Sequence, residues 1–261
     1  MQSEQTQNTV KSGFMTSFLT ALILAASGAG AGYWHATSQP QQWKATAKFE
    51  APKVADLGNY FSLLSTYTLV QNDGKADPNL EQNVTQAAFT EFTRQLASAD
   101  NRQQFLSNNA IIKQIAEVHN KPLNEVVNQL SEKLQFNPAD NSLSFALVNP
   151  TQSVQVLNEF IALTTEQSRK VLNDDLVAKW KFLFQNVKQS ADANLGESWK
   201  GKLNLMQSVQ PLDNQLTAYH FEQKPSPATK AEQPDNLTES IGFGAGIGFL
   251  LGLLLTLFRR K

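Results

Sequence analysis

Three histidines, His35, His119 and His220, are the first residues in this 261-residue chain that could do chemistry. Histidines that hold a metal or relay a proton come at short spacings, or beside carboxylates and cysteines. These three lie far apart, and the chain contains no cysteine. A thiolate metal site and a disulfide framework are therefore excluded. His220 alternates with its neighbours as in a strand, and it reads as a packed or edge histidine. Asp174 and Asp175 are adjacent, so on a helix they point to different faces. They do not make the facing carboxylate pair that acid–base chemistry uses. The signatures of nucleotide-binding loops, serine hydrolases and zinc hydrolases do not occur. Asn83-Val84-Thr85 and Asn236-Leu237-Thr238 match the glycosylation acceptor, a short and common pattern. The residue types point away from an enzyme and from a bound cofactor or metal.

Two apolar runs dominate the rest. Residues 241–258 carry no charge, and Thr256 is their only hydroxyl. About 18 residues at about 1.5 Å each reach roughly 27 Å, enough to cross a hydrocarbon core. Arg259, Arg260 and Lys261 follow, and the positive-inside rule places them in the cytoplasm. Residues 14–33 form a second uncharged run of spanning length. The alternative for this run is a cleaved signal peptide, with Ala29-Gly30-Ala31 as a small-residue site. The run is longer than a usual signal core, which favours a span. Two spans put both termini inside and the intervening chain outside. The whole chain has net charge −1, and the segment between the runs is net acidic once the terminal cations are set aside. It offers no basic field for nucleic acid.

The glycines of the runs are spaced. Gly244, Gly248 and Gly252 form two overlapping small-xxx-small pairs, and Gly28 and Gly32 repeat the spacing. Such pairs let helix backbones approach closely in lipid, so these five residues are the expected transmembrane packing positions.

Between the runs, Trp43, Ala45, Ala47 and Phe49 alternate with polar residues, which predicts a strand over 42–51 ended by Pro52. Helical periodicity follows over 54–68, 79–106, 108–119 and 122–134. Leu143, Phe145 and Leu147 predict a second strand over 142–148. No Gly or Pro then interrupts residues 151–192, so a helix over 151–188 would be about 57 Å long. A break is expected between 189 and 201, then a helix over 199–209, then a third strand over 215–222. Pro225, Pro227 and Pro234 mark a polar segment expected to run as extended chain into the second span.

The expected fold class is α+β. Its parts are a cytoplasmic tail (1–13), a span (14–33), a membrane-proximal α/β base (34–149) and an extended helical arm (150–212). A base strand with the Pro-rich segment (213–238), a second span (239–258) and a cytoplasmic stub (259–261) complete it.

This order of parts resembles a known family. The run SFALVNPTQSVQVLNEFI resembles that family's strand, proline and entry into a long helix, carried here by Leu157, Asn158, Phe160 and Ile161. The run FTRQLASADNRQQFL resembles its helical pattern at Phe92, Leu96, Ser98, Arg102 and Phe105. A proline-bearing segment then leads into a Gly-rich final run. These features are similar to the Wzz-type chain-length determinants, the class 1 polysaccharide co-polymerases. The resemblance covers nearly the whole chain, with two departures. The arm is short, and the family's Pro-rich segment survives only as Pro225, Ser226-Pro227 and Lys230.

The resemblance implies a two-pass protein of the bacterial inner membrane with a periplasmic domain. It implies a homo-oligomeric ring, a Wzy-type polysaccharide polymerase as partner, contact with a lipid-linked glycan, and no catalysis by the chain itself. The alternative class is a membrane-anchored periplasmic sensor or adaptor with a helical ectodomain. A sensor needs a cytoplasmic output domain, which three residues after the second run do not supply.

Overall fold

The computed structural model describes residues 3–38, 41–227 and 237–258, with side chains from residue 18 to residue 255 within those ranges. The expected stub at 259–261 and Pro234 lie outside the described residues. The chain divides into two compact units. One joins residues 1–43 to 229–261; the other is residues 44–228.

The first unit is a pair of helices, α1 (Ser3–Thr37) and α9 (Leu237–Phe258). Residues 240, 244, 248 and 252 of α9 face 32, 28, 24 and 21 of α1, so the two helices run antiparallel. Large side chains of α9 stay uncovered: Phe243, Leu250 and Leu255 are more than half exposed. Among the described residues, one helix, Leu237–Leu255, is long and apolar enough to cross a membrane.

The second unit is built on a four-stranded sheet in the order β2 (Gln135–Asn137), β3 (Ser142–Leu147), β1 (Trp43–Glu50), β4 (His220–Pro227). The alternation read in β1 holds: Ala45, Ala47 and Phe49 are buried. Phe49 meets Phe92 of α3 (Leu80–Ala97) edge-on at 5.1 Å, and Tyr219 at 5.2 Å. Tyr219 stacks on Phe92 at 4.3 Å. These rings bring α3 and the segment before β4 onto the core of the sheet.

The run expected as one helix over 54–68 is a 3-10 turn (Val54–Leu57) and α2 (Tyr60–Gln71), separated at Gly58, whose φ is +56°. Only glycine adopts that angle freely. A Cβ at Gly58 would also lie 2.7 Å from Oδ1 of Asp213. The run expected over 79–106 is likewise two helices, α3 and α4 (Ala99–Asn108). Ser98 takes an extended conformation, and its hydroxyl accepts from the Asn101 N–H, which caps the second helix. Then come α5 (Ala110–Val118) and α6 (Leu123–Ser131), close to the expected bounds.

The long helix α7 (Pro150–Asp192) has 43 residues, about 65 Å at 1.5 Å per residue. Its start is fixed by sequence. The Asn149 side chain accepts from the Thr151 and Gln152 N–H groups, and Pro150 takes the first turn, where its missing donor costs nothing. Ser153 Oγ accepts from the Leu147 N–H and donates to the Asn149 carbonyl, tying the end of β3 to the helix. The first half of α7 packs on the sheet through Val156, Leu157, Phe160 and Ile161. The expected arm, residues 150–212, therefore shares its first half with the core.

The distal half is sheathed. Val187 of α7, Val70 of α2 and Met206 of α8 (Glu197–Gln207) form a second small core, with Trp180, Phe184 and Trp199 against it. The turn between α7 and α8 uses Asn194 at φ +51° and Gly196 at φ +132°, inside the expected break. Lys202 of α8 bonds Asp73 beyond the end of α2 at 2.5 Å, and that hydrogen bond and charge hold the Asp73 carboxyl below its ordinary range.

Candidate functional site

The histidines and paired aspartates stay apart. His35 ends α1, and His119 follows α5. Asp174 pairs with Lys170 and Asp175 with Lys179, each at 2.7 Å on the exposed surface. Among the described residues no group of three or more His, Asp or Glu could hold a metal ion. His220 has a partner that its spacing did not announce: its Nδ1 lies 3.0 Å from Oδ2 of Asp56. Asp56 also accepts from the Thr217 N–H through its carbonyl and from the Lys53 N–H through the same carboxylate. The 3-10 turn is thus bound to the approach of β4.

The five glycines come together. A Cβ at Gly28 would strike the Gly244 carbonyl, and one at Gly244 the Gly28 carbonyl. A Cβ at Gly32 would strike the carbonyl of Ser240, and one at Gly248 the carbonyl of Leu24. At Gly252 it would lie 2.5 Å from the Ala21 Cα. Real Cβ atoms do not approach so closely, so the α1–α9 contact requires these residues to lack one. Gly30, Gly242 and Gly246 have nothing within 4 Å of such an atom. The two helices therefore touch backbone to backbone along one face of each, and the remaining glycines lie off that face. Ser240 and Ala21 extend the small-residue rows; each lies four residues before a contact residue, Gly244 and Ala25, and that spacing carries the signal in the sequence. A groove beside this contact runs between the helices, lined by Ser27, Gly28, Phe243 and Ile247, with His35 and Glu239 at one end.

The Pro-rich segment differs from expectation. Pro225 and Pro227 belong to β4, which pairs antiparallel with β1; Pro227 sits opposite Ala45. The strand was expected over 215–222, but it begins at His220. Leu216 and Ala218 are buried in alternation without being in a ladder. The Thr217 N–H donates to Asp56, and the Leu216 carbonyl accepts from Arg169 Nε at 2.8 Å, so their backbone bonds go elsewhere. Proline fits β4 because the strand lies at the edge of the sheet, where a missing N–H need not face a neighbour.

The chain matches no protein-family model. It is 28% identical over 148 residues to the ECA polysaccharide chain length modulation protein of Salmonella typhimurium, a match covering 54% of this chain and 42% of that protein. It is 31% identical over 111 residues to an uncharacterised protein of Haemophilus influenzae, covering 42% of this chain and 95% of the other. The match thus spans less than half the length of the named relative. A solved full-length bacterial polysaccharide co-polymerase superposes with a TM-score of 0.60 at 12% identity, over 95% of both chains.

A mixed sheet-and-helix unit with one very long helix, together with an apolar helix at its chain end, is the fold of a polysaccharide co-polymerase. With the sequence relatives alongside, the chain is similar to the Wzz-type chain-length determinants in both sequence and fold. The Salmonella typhimurium relative carries the name of a chain length modulator, not of a catalyst.

Proposed function

We propose that this protein regulates the chain length of a surface polysaccharide, such as O-antigen, enterobacterial common antigen or a similar glycan. The observation that carries the reading is the match to named chain length modulation proteins in a chain whose fold follows a co-polymerase over 95% of its length. The protein acts as a homo-oligomeric scaffold in the inner membrane and works with a Wzy-type polymerase that extends a lipid-linked glycan. It crosses the membrane twice, through residues 14–33 and 239–258, with both ends cytoplasmic and residues 34–238 periplasmic. The antiparallel pairing of α1 and α9 supports the second crossing. In lipid the apolar surfaces of helices gain nothing by leaving the tails, so close backbone packing supplies the association. Gly28, Gly32, Gly244, Gly248 and Gly252 are its transmembrane packing residues.

Gel ladders of surface polysaccharide from a deletion strain test this reading. Loss of the preferred length, restored by the wild-type chain, is the expected result; an unchanged ladder overturns it. Reporter fusions after residue 130 should read as periplasmic, and a mature N-terminus beginning after Ala31 would overturn the two-span topology.

A further inference from the structure

Between the end of α4, the start of α5 and the middle of α7 lies a recess of about 360 Å³. It sits at the small end of the range for ligand sites, about 300–1,000 Å³. Its wall is unusual in composition. Gln104, Asn108, Asn109 and Gln167 bring four side-chain amides, Glu159 a carboxylate and Phe105 a ring. No lysine or arginine lines it.

Part of this wall is already fixed. Asn109 is buried; its Oδ1 accepts from the Ile111 and Ile112 N–H groups, and its Nδ2 donates to Glu159 Oε2 at 2.6 Å. Glu159 Oε1 accepts from Gln155 Nε2 at 2.9 Å. Each carboxylate oxygen keeps further lone-pair capacity. Phe105 is packed on Phe160 at 5.2 Å. The remaining part is unspent. Gln167 Oε1 is buried without a hydrogen-bond partner. Asn108 donates through Nδ2 to the Gln104 carbonyl, which leaves its Oδ1 free among the described residues. A buried carbonyl oxygen without a donor calls for one.

The ligand that fits carries both donors and acceptors on neighbouring atoms, has apolar C–H faces, and bears no negative charge. Hydroxyl groups on a sugar ring donate to Gln167 and Glu159 and accept from amide N–H groups, while ring C–H bonds lie against Phe105 and Leu163. A phosphate or uronate would meet Glu159 with no cation to offset it. We propose that this recess binds one short, uncharged saccharide unit. The proposal rests on the polysaccharide reading above and deepens it, because it gives the chain a direct contact with glycan.

The test uses the full-length protein in an amine-oxide detergent, since sugar-headed detergents would compete. N,N′-diacetylchitobiose is the neutral probe, and a glucuronate-containing disaccharide is the charged one. Saturation-transfer NMR should detect the neutral probe and give about tenfold weaker binding for the charged one. Gln104→Ala with Asn108→Ala removes two exposed amides from α4 and should weaken the neutral probe by about fivefold or more. Gln167→Met keeps the shape and removes the buried acceptor, with a loss of the same sense. Circular dichroism checks the fold of both variants, so either one alone decides. No transfer with the wild-type chain, or equal transfer in a folded variant, overturns the proposal. Failure here leaves the deletion ladder untouched as a test of length control, and an unchanged ladder leaves the binding result standing.

Discussion

The helix pair and the sheet unit are held together by opposite means. Between α1 and α9 the contact residues are Gly, Ala and Ser, and backbone meets backbone. In the sheet unit the contact residues are Phe49, Phe92, Phe145, Phe160 and Tyr219, and side chain meets side chain. Water explains the second arrangement, because removing large rings from it is the main driving force. On the proposed two-span reading lipid accounts for the first, because large apolar side chains gain nothing by meeting there, and only close approach adds contact. Glycine shows the difference within one chain. Gly58 is needed for a positive φ, whereas Gly244 and Gly248 sit in ordinary helix and are needed for the missing Cβ.

The largest expected effect lies in the ring cluster. Phe92 is fully buried between Phe49 and Tyr219. Phe92→Ala should cost about 3–5 kcal/mol in denaturant unfolding of the full-length protein. A loss well below 1 kcal/mol would break the contrast, since the sheet unit would then not depend on its rings. Next is an alkaline effect confined to the same unit. Burial, reinforced by the charge of Asp175, pushes the Tyr60 phenol up to about 12. Burial also pushes Tyr219 up, partly offset by a hydrogen bond with Thr165. The folded state favours the neutral phenol, so this contribution is complete below the unfolded value near 10 and is lost as pH rises toward 12. For Tyr60 the loss is about 2–3 kcal/mol. A stability profile from pH 9 to 12 should fall in the wild type and fall less in Tyr60→Phe. Equal slopes would remove Tyr60 from the account.

The helix pair gives smaller effects, read by position. Gly248→Leu inserts a side chain where the Leu24 carbonyl lies, an overpacking cost of about 1–3 kcal/mol. Spin labels at Gly30→Cys and Gly242→Cys, two open sites in a chain without native cysteine, should report a longer and broader distance. The preferred polysaccharide length should broaden with it. The smallest effect belongs to Gly246→Leu, which points into open space and should leave both readouts near wild type. If both substitutions behave alike, the glycine face is span composition and not a contact.

Much of this fold was legible where one pattern had one cause. Asn149-Pro150-Thr151 holds a cap, a first-turn proline and the first donor to be capped, so the start of α7 was readable to within a residue. The glycine spacing was readable for the same reason: a residue every four places only one face of a helix. Breaks without a change of period were not. Apolar periodicity runs through Ser98, and the helix stops there on side-chain bonds: Ser98 Oγ accepts from the Asn101 N–H, and Asn101 Nδ2 donates to the Gln95 carbonyl. Strand β2 has three residues, too few for alternation to register. Leu216 and Ala218 alternate because one side faces the core, and burial alone does not make a sheet ladder. The Asp56–His220 pair and the amide recess join residues far apart in sequence, and no local spacing encodes them.

The prolines of β4 also bear on how the chain survives in a crowded compartment. A sheet with open sides is a seed for aggregation, because any extended stretch of another chain can dock on it. Here one outer strand, β2, offers only three residues, and the other, β4, carries Pro225 and Pro227 where two backbone donors would otherwise be. A stray strand arriving at β4 finds too few donors to zip onto, and one arriving at β2 finds too little length. The same two prolines in which the Pro-rich pattern survives therefore sit where they discourage misassembly.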